Sequence, residues 1–161
     1  MLTPWLALGT VLAVQAPDSA PPTRYDAAFA TFIDSLSAVD GAVAAFQADL
    51  GSASPDLVLA RARRLELRCG AARRAGTALA GLLAGDASRP SPSSAERRAR
   101  RDLDALERVL EKCERDYDIR SPSARPDTLK AWGPFRLNRL QGELRRYGSG
   151  VRLLQRRPSA P

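Results

Sequence analysis

VLARARRLELRCGAARRAGTALAGLL, residues 58–83, and ARRDLDALERVLEKCERDY, residues 99–117, both set apolar or small side chains at alternating steps of four and three. That period belongs to a helix with one buried stripe. The seams are Val58, Ala62, Leu65, Cys69, Ala72, Gly76, Leu79, Leu83 and then Ala99, Leu103, Leu106, Leu110, Cys113, Tyr117. Between them lies the chain's one dense Pro/Ser turn, Ser88-Arg89-Pro90-Ser91-Pro92, which folds the two helices back on each other. An antiparallel pairing that joins Cys69 to Cys113 also matches Leu65 with Tyr117, Ala72 with Leu110, Gly76 with Leu106, Leu79 with Leu103 and Leu83 with Ala99. Several layers then oppose a small residue to a large one, as a packed core requires. Two such patterns align in more than one register, so the match is a partial argument for the pairing. A disulfide between Cys69 and Cys113 implies a protein made outside the reducing cytosol. Two buried free thiols would be the reading for a cytosolic one.

Outward from this hairpin the same logic adds two helices. Thr23 with Asp26 forms a capping-box pattern that opens a helix from about Arg24 to Leu50, with Gly51 as its stop. Its seam is Tyr25, Phe29, Phe32, Leu36, Val39, Val43, Phe46, Leu50. Ser54-Pro55-Asp56 announces the second helix with a cap, a first-turn proline and an acid suited to the helix dipole; Gly85 is the natural stop. Ala72, Gly76 and Ala80, four apart, leave room for a neighbouring helix. Ser93 with Glu96 makes a second capping box for the third helix, and Glu96/Arg100, Asp104/Arg108 and Glu111/Arg115 are acid-before-base pairs at i,i+4. After the breaks at Ser121-Pro122 and Pro126, a helical turn is expected over Asp127 to Trp132, with a last helix beginning at Gly133-Pro134. Its seam is Leu137, Leu140, Leu144, Tyr147, Val151, Leu154, and Gly148-Ser149-Gly150 should fray or kink it. The fold class is therefore all-α: an antiparallel bundle of three to four long amphipathic helices, stapled by a disulfide between the second and third. An extended coiled-coil hairpin that completes its core in a dimer is the alternative.

Residues 1–16 carry no charge and include the apolar run Trp5, Leu6, Ala7, Leu8, Val11, Leu12, Ala13, Val14. The run is too short to span a bilayer. It reads as a signal peptide with Val14-Gln15-Ala16 as the cleavage site, although no basic residue precedes it and Pro17 follows the cut. Residues 17–23 form a Pro-rich linker, 24–157 a single bundle domain without a transmembrane span, and 158–161 a disordered tail. The expected location is exported, periplasmic or extracellular.

Chemistry is harder to find. The chain has no histidine, which excludes His-based triads, imidazole bases and His-bearing metal sites. Its two cysteines form no C-x-x-C, and there is no glycine-rich phosphate loop. Asp102, Asp104, Glu107, Glu111, Glu114, Asp116 and Asp118 are acid/base candidates by count alone, and each has basic neighbours at helical spacing. No enzyme, metal or cofactor is expected.

The net charge of +7 is uneven: residues 24–50 carry −3, residues 55–84 +4, residues 93–118 −1 and residues 119–161 +8. Only Lys112 and Lys130 among the 25 basic residues are lysines, an arginine bias read first as the imprint of a GC-rich genome. Arg61, Arg64 and Arg68, with Arg73 and Arg74, line the second helix. Arg136, Arg139, Arg145, Arg146, Arg152, Arg156 and Arg157 crowd the last one, with Glu143 as the offset. That last cluster is the candidate anionic-contact patch; a plain soluble surface explains it equally well. Trp132 and Phe135 are expected to cap the end of the bundle. The leading functional reading is an exported, non-catalytic bundle of the cell envelope, binding an acidic protein, lipopolysaccharide or another anionic polymer through its basic helix. The alternative is a cytosolic protein that binds nucleic-acid phosphates without sequence preference.

Overall fold

A computed structural model describes residues 23–85 and 91–155. The expected signal peptide, residues 17–22 of the linker, residues 86–90 with the first half of the Pro/Ser turn, and the stretch holding Arg156, Arg157 and the tail lie outside the described residues. Four helices form an antiparallel bundle: α1 Arg24–Asp49, α2 Pro55–Ala84, α3 Ser94–Asp116 and α4 Pro126–Val151. Short 3₁₀ turns, Pro122–Ala124 and Arg152–Gln155, precede and follow α4. Sequence neighbours pack side by side, and a thinner α1–α4 contact closes the ring.

The starts of α1, α2 and α3 follow from cap chemistry. Thr23 accepts from the Asp26 amide at 3.1 Å while the Asp26 carboxylate accepts from the Thr23 amide at 3.0 Å, a complete capping box. Ser54 accepts from the Leu57 amide at 3.3 Å, with Pro55 in the first turn. Ser93 accepts from the Glu96 amide at 3.1 Å, while the Glu96 carboxylate pairs with Arg100 at 2.8 Å. α1 and α2 stop where expected, at Leu50-Gly51 and at Gly85, but without a left-handed residue. Among the described residues no glycine has a positive φ, so neither Gly51 nor Gly85 ends its helix as a left-handed cap. Gly85 is the C-cap of α2, right-handed at φ −76°, and Leu50 is the C-cap of α1 with Gly51 directly after it.

The seams meet in one core. Every α2 and α3 seam residue is buried, as are all of α1's except Leu36. The disulfide between Cys69 and Cys113 fixes the α2–α3 register, with Cα atoms 6.1 Å apart. Gly70 faces Glu114 and Gly76 faces Glu107 in step with it. The small residues of α2 admit α1 as well: the Cε2 of Phe32 lies 3.0 Å from where a Gly76 Cβ would be. Arg73 of α2 reaches Glu114 of α3 at 2.9 Å on the same side. α1 has the length and hydropathy of a membrane span. Here its aromatic face is the bundle core, and its flanks bond to α4 through Gln47–Asn138 at 2.8 Å and Asp40–Gln141 at 3.2 Å.

The largest departure concerns α4. It starts at Pro126, one element earlier than the sequence implies, and runs through Trp132-Gly133-Pro134 without a break. An interior proline costs a helix about 3 kcal/mol in a host without tertiary support. Support exists here, because Leu129 is fully buried and Gly133 lies against Leu50. Burying the first two turns of α4 outweighs the bond that Pro134 cannot donate. Gly148-Ser149-Gly150 also stays helical, and the chain tightens to 3₁₀ only at Arg152. Gly150 is there for packing: a Cβ would come within 2.8 Å of the Asp102 Cγ on α3.

Candidate anion-contact surface

α4 carries the surface that sequence reasoning singled out, and the bundle divides its arginines into three groups. Leu129, Gly133, Leu137, Leu140, Leu144 and Val151 set its buried face. Arg136 lies at the edge of that face, partly covered, with its Nη1 buried and without a protein hydrogen bond. It acts on Tyr117 across the α3–α4 contact. Burial pushes the Tyr117 phenol well above its ordinary value, and the Arg136 charge pulls the other way. Arg136 is thus a flank of the core rather than a free surface cation.

Arg139 and Arg146 occupy the outward stripe. Arg139 is 60 % exposed and pairs with Glu143 at 3.1 Å; Arg146 lies 5.4 Å from the centre of the Tyr147 ring. The steps from 132 to 135, 139 and 146 are three, four and seven, so Trp132 and Phe135 head the same stripe. Both rings stand in solvent, Trp132 at 61 % and Phe135 at 68 % exposure. The expectation that they cap the bundle end is wrong. The end is closed instead by Leu50, Ala53, Tyr117, Ala124 and Leu129, all buried, which leaves the two rings nothing to cover.

Arg145 and Arg152 face the other way, over a groove between α1 and α4. Neither makes an ion pair among the described residues. Arg156 and Arg157 lie outside the described residues. The arginines of α2 are divided: Arg61 pairs with Asp49 at 2.6 Å and Arg73 with Glu114, while Arg64, Arg68 and Arg74 are exposed.

Most of the carboxylates counted on α3 and the following loop are engaged. Glu111 meets Arg115 at 3.7 Å, Glu114 meets Arg73, and Asp116 meets Lys112. Asp118 takes both a backbone and a side-chain bond from Arg120, which holds its carboxyl below the usual range. Asp104 and Arg108 do not close into the expected pair; with Glu107 they line a shallow groove of about 330 Å³ beside Arg73. Glu107 Oε1 is buried there without a protein hydrogen bond.

Comparison of the chain with protein-family models, with curated proteins and with solved structures finds no match.

Proposed function

We propose that this protein is an exported, non-catalytic helical bundle of the cell envelope, and that it binds an anionic partner through the outward stripe of α4. One observation carries the reading. Two large aromatic rings stand exposed at the head of a stripe continued by Arg139 and Arg146. Trp and Arg are among the residues that dominate binding hot spots, and neighbouring exposed rings rimmed by polar side chains are the kind of patch that marks an interaction site. Among the anionic partners considered, the ring pair favours an acidic protein over a featureless polymer, because rings need an apolar notch. Export is supported by the disulfide, which persists in oxidising compartments. A binding role rather than catalysis is supported by the absence of histidine and by the self-paired acids of α3.

A photo-crosslinker at position 135 tests this in the native compartment. It should capture one acidic protein that a crosslinker at the exposed Leu67 of α2 does not. Arg139→Glu with Arg146→Glu should abolish that capture; capture that survives the reversal sinks the reading.

The same rings beside arginines favour one other reading, a single-stranded nucleic-acid platform on which bases stack. It would show a steep loss of binding with salt and little preference among sequences. The disulfide counts against the compartment that it needs.

A further inference from the structure

The groove between α1 and α4 is a separate feature from the outward stripe. Its floor is apolar, made by Ile33 and Leu36 of α1 and Leu144 of α4. Leu36 is the one member of the α1 seam that the core leaves partly uncovered. Gly148 also lines the groove, and a Cβ there would meet nothing within 4 Å. The space amounts to about 320 Å³ and is open to solvent along one side.

Two cations overhang it. Arg145 and Arg152 are seven residues apart, two helical turns on one face, and neither has an ion-pair partner among the described residues. The single acid at the groove, Asp40, is already engaged by Gln141. The groove thus combines an apolar strip with the hydroxyls of Ser37 and Ser149 and a net positive rim.

We propose that this groove binds a free single-chain amphiphile with an anionic head, of the medium-chain fatty-carboxylate type. The tail would lie on Ile33, Leu36 and Leu144, and the carboxylate would accept hydrogen bonds from Arg145 or Arg152. An inorganic anion would leave the apolar floor unused, and a neutral lipid would leave the guanidiniums unused. The volume lies at the small end of ligand sites, which run from about 300 to 1,000 Å³, so one chain fits and two do not.

Calorimetric titration of the full disulfide-bonded protein with sodium octanoate, decanoate and dodecanoate, each below its micelle concentration, tests the proposal. Binding should saturate at one molecule per chain and tighten with each added methylene, by less than the roughly fourfold of a fully buried CH2, until the groove is full. Arg145→Ala with Arg152→Ala should weaken dodecanoate at least tenfold and leave 1-dodecanol unchanged. Gly148→Leu, which adds a good helix former into open space, should block both ligands while leaving thermal unfolding intact. Absence of saturable dodecanoate binding to the wild type overturns the proposal, as does binding that neither variant alters. The stripe reading is judged separately, because none of these substitutions touches Trp132, Phe135, Arg139 or Arg146.

Discussion

The Cδ2 methyl of Leu50, at the end of α1, lies 2.6 Å from the point that a Cβ on Gly133 of α4 would occupy. No side chain fits between them, and Leu50 is itself buried. This contact closes the end of the bundle where α4 begins and helps hold α4 helical up to its interior proline. Gly133→Ala should therefore destabilise. Overpacking costs about 1–3 kcal/mol, against a helix-propensity gain of about 1 kcal/mol for removing a glycine. Thermal unfolding should show a lower midpoint. Leu50→Ala in the same chain should relieve part of the loss, a coupling that a double-mutant cycle measures. A midpoint raised by Gly133→Ala, as at a free helical surface, would sink this account.

Removing the staple is the second test. Cys69→Ala with Cys113→Ala opens a loop closed across a sequence separation of 44. The chain-entropy estimate for that loop is roughly 4 kcal/mol, with native-state strain acting to reduce it. Denaturant unfolding should lose between about 2 and 4 kcal/mol, with helical circular dichroism unchanged at low denaturant. A loss below about 0.5 kcal/mol, the scatter of ordinary surface substitutions, would mean that packing alone sets the α2–α3 register.

Tyr117 gives the third. Its ring is buried against Phe46, with centroids 6.0 Å apart, but its hydroxyl is buried without a protein hydrogen bond. Tyr117→Phe should be neutral or stabilising by up to about 1 kcal/mol, because a buried unpaired polar group costs about 1–3 kcal/mol. Burial raises the folded-state phenol above its ordinary 10.0. Above that value the unfolded chain has released the proton and the folded one retains it, so stability is full below pH 10 and falls as pH rises beyond it. Tyr117→Phe should flatten that alkaline decline in a pH series of unfolding midpoints.

Trp132 and Phe135 separate a surface role from a packing role. As exposed groups, Trp132→Ser and Phe135→Ser should each shift stability by no more than about 0.5 kcal/mol. A ring that capped the core would cost about 3–5 kcal/mol. Both variants should lose partner capture while their unfolding midpoints stay in place. A large fall in either midpoint would return the rings to the core.

What could be read from the chain beforehand was what depends on neighbours in sequence. Thr23, Ser54 and Ser93 cap their helices through bonds to amides three residues on, and that chemistry is written locally. The seams of α2 and α3 and the pairing of Cys69 with Cys113 follow from a period and a single turn. α4 was misjudged because its start is decided by distant residues. Pro134 argues for a break on local grounds, and Leu50, more than 80 positions away, overrules it. Gly150 misled for the same reason: it marks the approach of Asp102, not a weak point in the helix. The arginine cluster was visible as a count, but its division among Tyr117, the outward stripe and the α1–α4 groove depends on which helix lies on which side. No periodicity in α4 alone records that. The exposure of Trp132 and Phe135 shares this cause, since an aromatic near a helix start looks alike whether or not something covers it.

The hydroxyl of Tyr25, in the first turn of α1, donates to the carbonyl of Leu154 in the last described turn at 3.0 Å. The backbone thus travels four lengths of the bundle and returns to its point of departure, making the fold a circuit in space although it is a line in sequence. In such a circuit the position of the ends is a matter of bookkeeping for the core. A rearranged gene that bridges residue 155 to residue 23 and opens the chain between α2 and α3 would keep all four helices in their places. Cys69–Cys113 would then join the two new end segments, turning a staple across a loop into a clasp between termini.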